Sequence, residues 1–223
     1  MDWQPLVLTF KLAVITTAIL FVVAIPIASW LSSTKSKLRP VFETLVSMPL
    51  VLPPTVLGFY MLVAFSPENA FGSWLNEWLG IKLIFSFGGL VLASVIYSLP
   101  FMVQPIQAGL SSLPSTLKEA SYTMGKSKMT TLLKILLPNI KPSLLTGMVL
   151  SFAHTVGEFG VVLMIGGNMP GRTKVASIAI YDEVEALNYA AANSYSLILF
   201  SVTFVILLLV YLKNGGYFKR FAQ

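Results

Sequence analysis

The sequence predicts an all-α integral membrane protein, and its composition and the length of its apolar runs support this prediction. Of 223 residues, 56% are hydrophobic and 11% are charged, and the mean hydropathy is +0.80. A soluble domain has about 25% charged residues. A helix needs about 20 apolar residues to cross a bilayer, and five runs approach or exceed that length: 6–31, 41–65, 83–105, 143–167 and 195–212. A soluble enzyme is therefore excluded.

The five runs are expected to be helices, because lipid cannot satisfy the open edge of a strand. We expect about five transmembrane helices, with six possible, in a single domain that covers residues 1–223. The segments 32–40, 106–142 and 213–223 contain eleven basic residues, whereas 1–5, 66–82 and 168–194 contain three basic and six acidic ones. Basic loops stay in the cytoplasm. The N-terminus is therefore predicted outside and the C-terminus inside.

Two features within the runs stand out from simple apolar spans. Pro53 and Pro54 are consecutive, and proline removes an amide donor and clashes with the preceding turn. This pair predicts that the second span is discontinuous and faces protein or a pathway.

Glu158 is the one acidic residue deep in a span, and His154 precedes it by one helical turn. An ionisable residue at that depth is a functional candidate, although a packing role, a gating role and a metal site all remain open.

The segment 106–142 predicts a cytoplasmic helical hairpin. Pro114 suits the first turn of a short helix, with a capping box from Thr116 to Glu119. Gly125 ends that helix, and a second helix over about 127–137 is closed by Pro138. Its apolar face is exposed to the cytoplasm and needs either a partner or its own membrane domain to cover it; the residues of this face are Met129, Leu132, Leu133 and Leu136.

The same hairpin carries a motif with fixed spacing. The motif consists of Glu119, Ala120, Ser121, Gly125, Ile135, Leu137 and Pro138. It resembles the EAA loop of permease subunits in ATP-driven ABC importers, and it departs only where Ser121 replaces a second alanine. The resemblance implies that the hairpin docks on a separate ATPase subunit. Residues 125–127 also look like the end of a phosphate-binding loop, but position 120 is not the glycine that such a loop requires.

A second resemblance lies in the fourth span and the loop after it. Residues 152–160 and 167–173 are similar to permeases of molybdate importers, and their glycine–glutamate–aromatic–glycine element is shared with sulfate and tungstate permeases. Arg172 and Lys174 follow directly and are candidate anion contacts on the outer face, or anchors of the helix end. The stretch 175–192 reads as a helix that lies flat on that face as a docking surface.

Together the resemblances imply a permease that imports molybdate through the cytoplasmic membrane of a bacterium or archaeon. The implied assembly has two copies of this chain, two ATPase subunits in the cytoplasm and an external oxyanion-binding protein. The chain itself would be non-catalytic, with no cofactor, metal or nucleic acid, and its candidate pathway or gate residues are Pro53, Pro54, His154 and Glu158. Permeases for sulfate, thiosulfate or tungstate remain open, as does an ion-coupled carrier or channel. An intramembrane enzyme is disfavoured by one histidine and no cysteine.

Overall fold

The computed structural model describes residues 2–214, with the side chains of 213 and 214 left aside. The basic residues predicted in the tail beyond 214 lie outside this range. The described chain is almost entirely helical, and the helices follow one another with short connections. Their bounds are α1 Gln4–Ser33, α2 Arg39–Val51, α3 Pro54–Phe65, α4 Ala70–Leu79, α5 Phe87–Ser112, α6 Ser115–Thr123, α7 Lys128–Thr131, a π-helical turn Leu132–Leu136, α8 Leu137–Asn139, α9 Lys141–Gly157, α10 Gly160–Gly166, α11 Ala176–Glu185 and α12 Tyr189–Asn214.

Three helices are long and apolar enough to cross a membrane unbroken, namely α1, α5 and α12. Two further pairs qualify only as bent spans: α2 with α3, at 111°, and the segment Lys128–Asn139 with α9, at 81°. The predicted all-helical membrane fold is confirmed. By length and composition the described residues supply three spans, or up to five if each bent pair counts as one.

The predicted break at the proline pair is confirmed. Helix α2 ends at Val51 and α3 begins at Pro54. Between them, Leu52 and Pro53 are both extended, each with ψ of 135°. Proline disfavours a helical conformation in the residue before it, so two prolines in succession push two residues out of the helix. Pro26, Pro100 and Pro105, in contrast, lie inside continuous helices.

The predicted fourth span over 143–167 is not one continuous helix. Helix α9 ends at Gly157 and α10 begins at Gly160, with Glu158 in an extended conformation at ψ 135°. No proline lies here. Instead, the carbonyl oxygen of Glu158 accepts a hydrogen bond of 2.5 Å from Ser177 Oγ, so a partner from the following segment replaces the helical hydrogen bond. In the sequence, the glycines at 157 and 160 are the one local sign of a break, and nothing there indicates Ser177 as the partner.

The hairpin is present, but its details differ from the prediction. Helix α6 starts at Ser115, so Pro114 is its N-cap rather than a residue of its first turn. The proline side chain has no hydrogen-bond acceptor, and the capping box expected from Thr116 is not formed. The second helix continues past Pro138 to Asn139. Proline has no amide to donate, and the chain accommodates it with a π-helical turn in which Leu137 N donates to Leu132 O.

The base of the hairpin is part of the main core. Leu136, Leu137 and Ile140 pack in one cluster with buried residues of α1 and α5. Leu132 also packs against this cluster. Of the two alternatives for the apolar face, the chain's own membrane domain therefore covers Leu132 and Leu136.

The region after the fourth span also differs from the prediction. The helix expected over 175–192 ends at Glu185, and α12 already begins at Tyr189. Ala176 and Ala179 of α11 are buried in a cluster with Leu6 of α1 and Tyr195 of α12. One face of α11 therefore packs on the membrane helices, whereas Tyr181 and Val184 on this helix are exposed. A docking role for the exposed side stays a prediction.

Candidate functional site

The two helix breaks open onto the same cavity. This cavity has a volume of about 440 Å³ and includes residues from the α2–α3 break, the α9–α10 break and the middle of α5. Three of the four residues predicted as a pathway or gate, Pro54, His154 and Glu158, line it, and Pro53 is the N-cap directly before Pro54. Its remaining lining residues are Thr55, Tyr97, Ala153, Gly157, Phe159 and Gly160.

Small residues allow the two broken spans to approach each other. Gly58 of α3 faces α10, where a Cβ atom added to it would lie 2.9 Å from the Cβ atom of Met164. Such a distance is shorter than ordinary van der Waals contact. Glycine is therefore required at this contact, which packs the middle of α3 against α10.

Glu158 is buried and fully engaged by α5. The residue is 4% exposed. Ser94 Oγ donates to its Oε2 atom, and Ser98 Oγ donates to its Oε1 atom at 2.8 Å. A buried carboxylate is costly unless it is hydrogen-bonded or paired, and these two hydroxyl groups supply that compensation. The carboxylate thus fixes the end of α9 to the middle of α5.

His154 completes this cluster and lies between two aromatic rings. Its Nδ1 atom is 2.9 Å from Ser98 Oγ and 3.5 Å from Glu158 Oε1. The imidazole stacks on Phe101 with a centroid distance of 4.0 Å, and Tyr97 lies at 4.6 Å. The predicted proximity of His154 and Glu158 is present. Among residues 2–214 no three metal-ligating side chains lie together, so the pair has no third ligand there.

The two basic residues predicted on the outer face have different surroundings. Arg172 is exposed. Lys174 Nζ lies 2.5 Å from Asp182 Oδ2, and Asn168 Nδ2 donates to the same carboxylate. Lys174 therefore ties the loop to α11, and its charge is compensated by Asp182.

The hairpin motif divides into a buried part and an exposed part. Ser121, Leu137 and the cluster at the base of the hairpin are buried, whereas Glu119, Ala120, Gly125 and Pro138 are exposed and Ile135 is half-buried. Gly125 has φ of +74°, a conformation that favours glycine. Ser121 Oγ lies 2.7 Å from Thr131 Oγ1. This hydrogen bond joins the two helices of the hairpin, which accounts for a serine where the motif has alanine.

Sequence reasoning missed the residues that support the cluster. Ser94 and Ser98 lie one turn apart in a span that is otherwise apolar, and that spacing is a signal for a polar face on α5. Tyr97 and Phe101 carry no such signal, because aromatic residues are frequent in membrane spans. Thr131 was missed because its partner Ser121 lies ten residues away across a turn.

The described residues thus combine an all-helical membrane fold with a cavity between two broken spans and a partly exposed helical hairpin. Residues 7–215 match the family described as "Binding-protein-dependent transport system inner membrane component". The chain belongs to this family, and it is a permease of the ABC importer class. Permeases of this family lie in the inner membrane.

Several relatives are molybdenum or sulfate permeases. The chain is 45% identical over 213 residues to the molybdenum transport system permease protein ModB of Azotobacter vinelandii, covering 94% of this chain and 93% of that protein. It is 31% identical to ModB of Escherichia coli, covering 82% and 80%. The sulfate permease CysT of Escherichia coli is 30% identical, with 82% and 65% covered.

Solved structures confirm the fold. A bacterial ABC transporter that imports the acidic polysaccharide alginate matches with a TM-score of 0.79 at 18% identity, covering 95% of this chain and 78% of that one. The MetNI methionine ABC transporter in an inward-facing conformation matches with a TM-score of 0.74 at 19% identity, covering 96% and 94%. The fold is therefore that of a type I ABC importer permease.

Proposed function

We propose that this permease imports molybdate, and that its chain supplies the passage while separate subunits bind and hydrolyse ATP. The observation that supports molybdate most directly is the 45% identity to a molybdenum permease across nearly the full length of both proteins. The sulfate permeases are 30–34% identical over 77–82% of this chain. Tungstate and sulfate, which share the tetrahedral dianionic shape, are the competing substrates.

The proposed assembly pairs two copies of this chain around the cavity. The pathway then consists of the two helix breaks, with Pro53 and Pro54 on one side and His154 and Glu158 on the other. Pro54, Thr55 and much of α2 are exposed in the single chain. Exposed breaks in a span are tolerated at membrane depth only beside protein or a water-filled cavity, which supports a second copy on this side.

The hairpin is proposed to dock on the ATPase subunit through its exposed apolar side chains. Met124 and Met129 are 73% and 63% exposed, and Tyr122 and Leu133 are about half exposed. These four residues form a surface around the exposed motif residues Glu119, Ala120 and Gly125. Methionine-rich patches fit irregular grooves well, and a contiguous apolar patch outside the membrane indicates a protein partner.

The base of the hairpin can transmit motion from that partner to the membrane helices. Leu137 and Ile140 are buried against α5 and α1. The next helix, α9, starts at Lys141 and ends at the Glu158 break. A displacement of the hairpin therefore acts on α9 as a rigid element whose far end lines the cavity. On the outer face, Arg172 is proposed to contact the substrate or the binding protein, and Lys174 to hold the loop.

Uptake by the reconstituted transporter tests the proposal. The chain, its ATPase and the external binding protein in proteoliposomes should take up radiolabelled molybdate when ATP is supplied. An excess of unlabelled tungstate or sulfate should reduce the uptake of labelled molybdate if that anion uses the same passage. Sulfate uptake faster than molybdate uptake would reassign the substrate. Uptake that persists without ATP but follows an ion gradient would instead indicate an ion-coupled carrier.

A further inference from the structure

The hydrogen bonds around His154 define which of its ring nitrogens carries a proton. Ser98 has one hydroxyl proton, and it donates that proton to Glu158 Oε1 at 2.8 Å. The Ser98 oxygen also lies 2.9 Å from His154 Nδ1. Since the serine proton is already used, Nδ1 must be the donor in this second contact. The imidazole therefore carries a proton on the side that faces the buried carboxylate.

The other ring nitrogen is available to the cavity. Within residues 2–214 the hydrogen bonds of the imidazole all involve Nδ1. The His154 side chain is 20% exposed, whereas that of Glu158 is 1% exposed. Because Tyr97 and Phe101 lie against the ring, its edge is the part open to the cavity. Nε2 is thus the polar atom that the pair presents there.

We infer that His154 contacts the oxyanion in the passage through Nε2, and that Glu158 is a positioning residue that acts through His154. The inference rests on the proposed function. A second proton on Nε2 gives an imidazolium with an N–H donor toward the cavity, and the buried carboxylate beside Nδ1 compensates its charge. Both carboxylate oxygens are engaged by Ser94 and Ser98, so Glu158 is shielded from an anion that the imidazole meets first.

The start of α3 adds a second favourable contribution at the same cavity. Thr55 lines the cavity and lies in the first turn of this 12-residue helix. Amides in a first turn lack intrahelical acceptors and carry the positive end of the helix dipole. Pro54 has no amide, and Val56 N and Leu57 N donate to Pro53 O. The Thr55 amide is therefore the first-turn donor of α3 left for a tetrahedral oxyanion beside His154.

Few other titratable groups lie near the imidazole. Among the residues that line the cavity, Tyr97 from α5 and Glu158 are the titratable ones besides His154. Helix α1, which also packs on α9, carries Lys11, but its ammonium lies over the Phe87 ring, 4.9 Å from the centroid. The residues that α12 brings to the same part of α9, among them Ser196 and Thr203, are uncharged. A change of uptake with pH that disappears in the His154 variants can therefore be assigned to His154.

The test compares pH profiles of uptake in the complete transporter. Initial uptake of radiolabelled molybdate, tungstate and sulfate is measured in proteoliposomes from about pH 6 to 8.5, where a histidine changes charge. The variants are His154→Gln, His154→Lys and, as a control outside the cavity, Tyr189→Phe, whose side chain is 63% exposed. Absolute uptake rates are compared, and ATP hydrolysis is measured in each sample at each pH, so that pH effects on the ATPase are separated from those on uptake.

The inference expects wild-type uptake to fall several-fold as pH rises, while His154→Gln is slow and independent of pH. His154→Lys should keep its uptake at alkaline pH, and Tyr189→Phe should follow wild type. If His154→Gln fails to assemble, Glu158→Gln replaces it, and its uptake should be several-fold slower than that of wild type. A wild-type rate and profile in His154→Gln, or a wild-type rate in Glu158→Gln, overturns the inference alone. Absence of oxyanion uptake by the wild type overturns the proposed function as well.

Discussion

Gly160 packs so closely against Pro54 that a Cβ atom added to the glycine would lie 2.9 Å from the Cβ atom of the proline. The first residue of α10 thus contacts the first residue of α3. Each residue begins a helix directly after a break, so the two breaks form one contact at the cavity. A change in the angle of either broken span must therefore move the other.

The first prediction concerns this contact. Gly160→Ala should separate α10 from α3, because the proline ring is rigid and cannot rotate away from the new methyl group. We expect a loss of about 1–3 kcal/mol in the free energy of unfolding, typical of overpacking, and a reduced uptake rate. Thermal unfolding of the purified transporter and uptake in proteoliposomes measure the two effects.

Gly88→Ala is the matched control. Gly88 also lies at the start of a helix, and its nearest neighbour to an added Cβ is Ser86 Oγ at 3.9 Å. This variant should unfold and transport as wild type does. Equal behaviour of the two variants would mean that the contact between α10 and α3 does not matter for stability or transport.

The second prediction concerns the turn of the hairpin. Gly125 has φ of +74°, and an added Cβ would meet nothing within 4 Å. Any defect of Gly125→Val in the isolated chain must therefore come from the backbone, where a β-branched residue with positive φ is strained. We expect the variant to insert into the membrane and to lose substrate-stimulated ATP hydrolysis with its ATPase.

Gly125→Asn separates backbone strain from contact with the partner. Asparagine tolerates positive φ better than other residues with a side chain, so it should retain the turn and much of the coupling. Loss of coupling in Gly125→Asn with a normal hairpin would show that the ATPase surface approaches this position closely. Undiminished ATP turnover in Gly125→Val would remove the hairpin from the coupling mechanism.

The third prediction addresses the serine in the motif. Ser121→Ala removes a buried hydrogen bond to Thr131, but the Thr131 hydroxyl keeps the Ser127 carbonyl oxygen as an acceptor at 2.9 Å. The cost should be about 0.5–1.5 kcal/mol, and ATPase coupling should persist. Ser121→Leu should separate α6 from α7 and abolish coupling. Binding of the ATPase subunit to each variant in detergent provides the measurement, and tight binding by Ser121→Leu would contradict this packing.

The sequence predicted the parts of the fold that depend on local chemistry. The break at Pro53 follows from two consecutive residues without amide donors, and the hairpin follows from Gly125 and an apolar helical period. The break at Glu158 was not predictable in this way, because it depends on Ser177 and on Ser94 and Ser98, which are 19, 64 and 60 residues away. The end of the hairpin was missed because a π-helical turn absorbs Pro138.

The fourth prediction concerns orientation, which the charge distribution alone supports. Single cysteines are introduced at Ser36 and Lys126, which are exposed, and at half-exposed Asn76. The native chain has no cysteine, so labelling has no background. An impermeant thiol reagent applied outside intact cells should modify the Asn76 variant and leave the other two unmodified until the membrane is permeabilised. Modification of the Lys126 variant from outside would invert the topology and exclude a cytoplasmic ATPase as the hairpin's partner.

The last prediction concerns the role of Glu158 in holding the end of α9. Glu158→Gln keeps the volume and one oxygen acceptor, so one of the two α5 hydroxyls retains its partner and the protein should still fold and assemble. Glu158→Leu removes both acceptors and leaves the buried hydroxyl group of Ser94 unpaired, at a cost of about 1–3 kcal/mol. We therefore expect Glu158→Leu to unfold at a clearly lower temperature than Glu158→Gln and to reach the membrane in smaller amounts.

Because Ser98 would then be free to pair with Thr155 at 3.1 Å, adding Ser94→Ala to Glu158→Leu should restore part of the lost stability. If the double variant is no more stable than Glu158→Leu, the unpaired hydroxyl of Ser94 does not account for the loss.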